Sequence, residues 1–290
     1  MAASVGVWRA MARVLRWLPE SVALALARPV AIAAGRRAAV RRALTANLRQ
    51  VLGGGEETPD AVVGRMADRA MASYAQYWVE SARLSATPPA EVMDRFVMVE
   101  GRHHLEEARA RGRGMILALP HMGNWDWGGA FLAQIDLAMT AVAEVLEPPE
   151  MFTWFAQERE AIGIHVVPLD DHAGTALLEH LGNRGVVGLL CDRDLQGNGV
   201  EVTFFGQRTT LPAGPAMLAL RTGATLLVAA CYSGPGSGHY AVVMPPVAAE
   251  RAGRLRDDVV RVTQAVAVEL EGLIRRAPEQ WHVLQPRFAP

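Results

Sequence analysis

Apolar and polar positions along this chain follow two different rhythms, and the change from one to the other falls near residue 96. Before it, apolar residues recur every three or four positions, the repeat of a helix with one buried stripe. Trp8, Met11, Val14, Leu15 and Leu18 share such a stripe, with Arg9, Arg13 and Arg16 largely off it, which predicts a helix over 5–18. Similar patterns predict helices over 21–34, over 37–52 (running into Gly53-Gly54-Gly55), and over 61–84. The last opens behind Thr58-Pro59-Asp60, with proline in the first turn where a missing N–H costs nothing. Its Tyr74, Tyr77 and Trp78 form an aromatic face, and Pro88-Pro89 closes the helical part.

From residue 96 onward short apolar runs alternate with amphipathic stretches. Strands are predicted over 96–99, Met115–Leu119, Met139–Ala143, 165–168 and Val186–Leu190, separated by helices over 101–111, 125–135, 150–162 and 174–183. Alternation of this kind predicts an α/β fold, with a largely parallel central sheet covered by helices on both faces and an N-terminal helical lead. Residues 200–206 alternate apolar and polar side chains, so Glu201 faces away from Val200 and Val202. A helix is expected over 216–222, paired strands over 225–232 and 240–244 across a glycine-rich turn, and a long helix over 254–275. With no repeat or linker in view, the chain divides into a membrane-associating helical lead, 1–90, and one catalytic unit, 91–290.

Composition narrows the function. The 290 residues carry a net charge of −1, which argues against a nucleic-acid partner. Lysine is absent, so all 29 formal cations are arginines. Cys191 and Cys231 stand far apart in apolar runs, as buried thiols in a reducing compartment do, rather than as a disulfide or zinc pair. No metal or cofactor is expected, because the histidines are scattered and no H-E-x-x-H spacing occurs. The longest weakly charged run, 18–35, is broken by Glu20, Arg28 and Pro29, so no spanning helix of roughly 20 residues is expected. The basic first helix with its tryptophan suits an anionic bilayer surface, and equally an ordinary packed helix.

Chemistry concentrates in residues 115–135, M-I-L-A-L-P-H-M-G-N-W-D-W-G-G-A-F-L-A-Q-I. A buried strand stops at Pro120, His121 follows, and Gly123-Asn124 turns the chain into a helix. On a regular helix the offset to Asp126 is roughly 500°, so the two side chains would point about 140° apart. They meet only if His121 sits in the turn and Asp126 in the first helical turn. An imidazole backed by a carboxylate is a general base with a fixed tautomer. No nucleophile elbow follows, which points to activation of a substrate hydroxyl. The plainer alternative has His121 capping the helix and Asp126 favouring its positive end. Glu144 and the Asp192-Arg193-Asp194 cluster also end strands at the edge where α/β proteins present chemistry. A planar guanidinium, Arg159 or Arg193, suits a phosphate.

His-x4-Asp after an apolar strand resembles the bacterial lysophospholipid and lipid A type acyltransferases. D-R-D-L at 192–195, G-V-E-V-x-F-F-G at 199–206 and L-P-A-G-P-A-x-L-A at 211–219 together are similar to the phosphatidylinositol mannoside branch of that family, the tail P-E-Q-W-H-V-L-Q-P-R-F at 278–288 resembles the family's C-terminus, and Ala46-Asn47-Leu48-Arg49 is similar to a turn in its helical lead. The resemblance implies transfer of a fatty acyl group from acyl-CoA to a sugar hydroxyl of a membrane glycolipid, in first place a mannose of a phosphatidylinositol mannoside. His121 is then the base, oriented by Asp126 or by Glu201, with Asp192 as the rival of Glu201. Glu144 and Arg159 carry over as residues near the histidine, and without the resemblance both read as surface charges. The implied location is peripheral, on the cytoplasmic face of the cell membrane. Two rivals remain at this point: a hydrolase in which His121 activates water, and a lipid carrier that tolerates loss of His121.

Overall fold

The computed structural model describes residues 5–53 and 58–288, so Gly54 and Gly55 at the expected end of the third helix lie outside the described residues. Four helices lead: α1 (Val5–Trp17), α2 (Glu20–Gly35), α3 (Ala38–Val51) and α4 (Asp60–Leu84). Leu44 and Leu48 of α3 pack on Val63, Ala67, Ala70 and Met71 of α4, and Ala23 and Leu24 of α2 on Val79. Small residues let these axes approach closely. At Gly35 a Cβ would stand 2.3 Å from Met71 Cγ, so α2 can end against α4 only with glycine there. Two chains of polar contacts tie α1 down. The Arg83 guanidinium of α4 donates to the carbonyls of Leu15 and Leu18, which the end of α1 leaves without helical partners. Arg16 pairs with Glu158 and donates to Ser85. Among the described residues no helix is long and apolar enough to cross a membrane.

The rest alternates as the pattern suggests: α5 (Pro89–Arg95), β1 (Phe96–Glu100), α6 (Arg102–Arg111), β2 (Met115–Leu119), α7 (Trp125–Gln134), β3 (Met139–Ala143), α8 (Pro149–Glu160), β4 (Ile164–Pro168), α9 (Ala173–Gly182), β5 (Val186–Leu190), β6 (Val200–Phe204), β7 (Gln207–Leu211), α10 (Gly214–Thr222), β8 (Thr225–Ser233), β9 (His239–Val243) and α11 (Leu255–Arg276). Seven strands form one sheet in the order β1-β9-β8-β2-β5-β3-β4. From β8 to β4 neighbours run parallel, β9 is antiparallel to β8, and β1 runs parallel to β9. The fold is thus α/β with a mostly parallel sheet. β2 lies in its middle and is buried at all five positions, as a strand covered on both faces must be. Ile116 and Ala118 join the core under α9, α10 and α11, whereas Met115, Leu117 and Leu119 join the core under α6 and α7.

Two elements escape the pattern. The short helix α5 has too few residues to show a period. The alternating segment 200–206 is indeed extended, but it pairs with the polar strand β7 in a separate two-stranded hairpin. Phe205 and Gly206 make its turn with φ of 51° and 77°, both left-handed, as a two-residue hairpin turn demands.

Candidate active site

Register decides which side chains meet. β2 and β5 pair in parallel with Leu119 opposite Leu190, and the Cys191 N–H continues the ladder to the Leu119 carbonyl at 2.9 Å. His121 and Asp192 each stand two residues beyond those paired ends, so the ladder carries them side by side at the sheet's carboxyl edge. Asp192 Oδ1 lies 2.5 Å from His121 Nδ1, and its Oδ2 accepts from the His121 backbone N–H at 3.0 Å. The carboxylate is completely buried and the histidine side chain is 14% exposed. Burial alone would raise the Asp192 pKa, but the His121 ring and the donors around it outweigh that and hold it down to about 2. A carboxylate on Nδ1 puts the neutral ring's proton there and leaves the Nε2 lone pair free to accept one.

The other partner of Asp192 comes from the C-terminal tail. Trp281 Nε1 donates to Oδ2 at 2.7 Å. Backbone bonds from Gly123 N to Gln280 O (2.9 Å) and from His282 N to His121 O (2.7 Å) stitch that tail to the histidine turn. Gly123 sits at φ 55°, and a Cβ there would fall 2.2 Å from the Cys231 carbonyl oxygen, so the turn requires glycine. His282 Nε2 lies 3.0 Å from Ser73 Oγ, and burial pushes its pKa down to about 3, so it is a neutral packing partner of Tyr74 and Tyr77. The Arg287 Nε–H donates to the Asp192 carbonyl at 2.8 Å. Sequence reasoning missed Trp281 and Arg287; the W-H and R-F pairs of the tail motif were the available signal.

Asp126 goes elsewhere. It begins α7, whose Asn124 cap accepts the Trp127 N–H at 3.3 Å, and it points at α4 and α8. There it accepts from Tyr77 (3.1 Å), Ser81 (3.0 Å) and Arg159 Nε (3.0 Å). Burial first, and the Asp126 charge second, push the Tyr77 phenol well above its usual pKa and keep it a neutral donor. The five-residue offset therefore separates the pair after all, and the Trp125 ring stands 5.6 Å from the His121 ring. Glu201 is not against His121 either. It is exposed on β6, opposite Thr210, because the β6-β7 hairpin lies outside the main sheet. Glu144 is exposed just past β3. Arg193 does reach the histidine: one guanidinium nitrogen lies 3.2 Å from Nε2 and the other donates to Gln285 at 2.7 Å.

Behind the turn, Asn124 Nδ2 donates to Glu80 at 3.0 Å, and Gln76 donates to the other oxygen at 2.8 Å. Burial drives the Glu80 pKa up to about 7 against the lowering effect of these two bonds.

The bacterial lipid A biosynthesis acyltransferase family matches residues 3–289 of the chain. The chain belongs to this family. It is 36% identical over 283 residues to the phosphatidylinositol mannoside acyltransferase of Mycolicibacterium smegmatis, covering 95% of this chain and 88% of that protein. It is 39% identical over 252 residues to the protein of that name from Mycobacterium tuberculosis, covering 84% and 76% respectively.

An apolar pocket lies between α7 and the sheet, walled by Leu117, Leu119, Phe131, Leu132, Ala229 and Phe96, with Trp125 at the His121 end. Gly128 and Gly129 line it on α7 and keep that helix close to the sheet: a Cβ on Gly128 would fall 2.4 Å from Cys231 Sγ. The Cys231 thiol, with its pKa pushed up to about 12 by burial, is an inert part of the wall. Among the described residues no group of three His, Cys, Asp or Glu side chains is placed to hold a metal.

Proposed function

We propose that this acyltransferase moves a fatty acyl group from acyl-CoA to a mannose hydroxyl of a phosphatidylinositol mannoside, with His121 as general base and Asp192 as its orienting partner. The observation that carries the reading is the bond between His121 Nδ1 and the buried, ionised Asp192, which frees Nε2 to take a proton. The acceptor hydroxyl donates to Nε2 in place of Arg193 as its oxygen attacks the thioester carbonyl. The new C–O bond forms, the C–S bond breaks, and the imidazolium returns the proton to the leaving thiolate. Arg193, beside Nε2, supplies a fixed positive charge for the oxyanion or for the inositol phosphate. The donor's acyl chain occupies the pocket under α7, where each buried methylene contributes roughly 0.8 kcal/mol. Asp126 and Arg159 act as the buried brace that fixes α7 against α4 and α8.

The mannoside acceptor is drawn from the two mycobacterial relatives and from the D-R-D-L and G-V-E-V-x-F-F-G motifs they resemble. Peripheral contact with a membrane surface is supported by α1 and α2, where Val7, Val14, Trp17, Leu26 and Val30 are exposed among arginines. The test is mass spectrometry of products from labelled palmitoyl-CoA, offered mannosylated phosphatidylinositol, unmannosylated phosphatidylinositol or a lipid A precursor at matched concentrations. Acylation of the mannoside is expected. Efficient acylation of the lipid A precursor alone overturns the acceptor, and acceptor-independent release of palmitate overturns transfer in favour of hydrolysis.

A further inference from the structure

A second apolar pocket lies on the other side of α7, between α1, α4 and α8. Its walls are Trp8, Ala12, Trp78, Ala82, Trp154 and Phe155. Trp8, Trp78 and Phe155 pack on one another in a single aromatic wall, with ring centroids 5.5 to 6.0 Å apart. The floor is polar, but its groups satisfy one another: Asp126 accepts from Tyr77, Ser81 and Arg159. An occupant therefore needs no polar group to complete the chamber, and only apolar surface fits its walls.

We infer that this chamber takes a hydrocarbon tail of the acceptor lipid, separately from the donor's acyl chain under α7. The inference rests on the proposed transfer reaction, in which both substrates carry hydrocarbon and both must be present when the C–O bond forms at His121. Only the acceptor's hydroxyl approaches the attacked carbon, and a sugar and phosphate headgroup separates it from the acceptor's tails, so those tails lie away from the pocket that holds the donor's chain. The pocket under α7 lies against β2, the strand that leads into His121, as the chain of the attacked carbonyl requires. The chamber instead opens at α1. Met11 lines it and is also 41% exposed, in one apolar strip with Val7 and Val14. A tail can thus pass from a bilayer beneath α1 without crossing water. At the inner end, Tyr77 lines the chamber and packs against Trp125 at 4.3 Å with the rings tilted by 31°, and Trp125 borders His121. These two rings are what separates the chamber from His121.

Ala82→Leu, which fills the chamber from α4, and Trp8→Ala, which removes its roof, test the assignment. KM is measured for the two-chain mannoside, for its deacylated water-soluble headgroup and for palmitoyl-CoA. Both variants are expected to raise KM for the lipid acceptor tenfold or more, about 1.4 kcal/mol or roughly two methylenes of lost burial, and to leave the other two within twofold. An equal rise for lipid and deacylated acceptors, or a rise confined to palmitoyl-CoA, overturns the inference. A readout that does not require turnover uses the wild-type protein and a phosphatidylinositol mannoside bearing a photoreactive diazirine in one tail. Adducts on the 78–82 and 154–155 segments are expected. Adducts around Leu117 and Phe131 instead, or none inside either pocket, overturn it, whether or not the acyl-transfer assay succeeds.

Discussion

Replacing Asp192 by asparagine keeps the shape of the buried side chain and changes only what it can accept. Three donors converge on the carboxylate: His121 Nδ1–H on one oxygen, and His121 N–H and Trp281 Nε1–H on the other. An amide has a single oxygen. If that oxygen keeps the two donors at the Oδ2 position, its NH2 faces Nδ1 and forces the ring proton onto Nε2, the nitrogen the acceptor hydroxyl needs. If it turns to keep Nδ1–H, its NH2 meets two donors in a dry site, at about 1–3 kcal/mol for each group left unpaired. The first arrangement costs less, so the base is held in the wrong tautomer. In the serine protease triad the same aspartate-to-asparagine change lowers kcat by about 10⁴, and a loss of about 10³–10⁴ is expected here. The assay is kcat with palmitoyl-CoA and mannosylated phosphatidylinositol, with circular dichroism to confirm the fold. A folded Asp192→Asn enzyme within tenfold of wild type would refute the reasoning.

Other consequences are as concrete. Glu201→Gln is expected to leave turnover within twofold, because Glu201 is exposed on the hairpin away from His121; a loss comparable to Asp192→Asn would return the supporting role to Glu201. Glu80 has a folded pKa near 7 against an ordinary 4.5, so its contribution to stability is full below about pH 4.5 and is lost as pH rises through 7, by on the order of 3 kcal/mol. Chemical denaturation of Glu80→Gln between pH 5 and 8 should show a flatter stability profile than wild type, and an unchanged profile would exclude Glu80 as its source. Trp17, 85% exposed, and Val14, 56% exposed, face solvent on α1. The double change to serine is expected to weaken sedimentation with anionic liposomes while stability stays within about 0.5 kcal/mol, and unchanged sedimentation would remove α1 from the membrane contact.

The residues that sequence reasoning found and those it missed differ in a physical way. The run 115–119 announces β2 because a strand buried on both faces is apolar at every position, and Pro120-His121 then marks where it ends. That His121 meets Asp192 depends on β5 lying beside β2 in the sheet, although α7, β3, α8, β4 and α9 intervene in the chain, and on Leu119 pairing with Leu190. Local periodicity holds neither piece of information. Asp126 was visible by spacing, yet the direction of its side chain follows from where α4 places Tyr77 and Ser81. The alternation around Glu201 correctly signals an extended segment, but alternation cannot tell a strand of the main sheet from one in a detached hairpin. Trp281 reaches the site from a tail with almost no regular structure, where only a motif could have flagged it.

The most direct measurement of the central claim is the rate of acyl transfer by His121→Ala, followed by mass spectrometry with labelled palmitoyl-CoA and mannosylated phosphatidylinositol. A single partly exposed imidazole contributes little to packing, so the variant should fold as wild type does. Loss of a positioned general base is expected to lower the rate about 10²–10⁴-fold, with the acceptor still bound. A folded His121→Ala protein that forms acylated mannoside at close to the wild-type rate would contradict the assignment of His121 as the base.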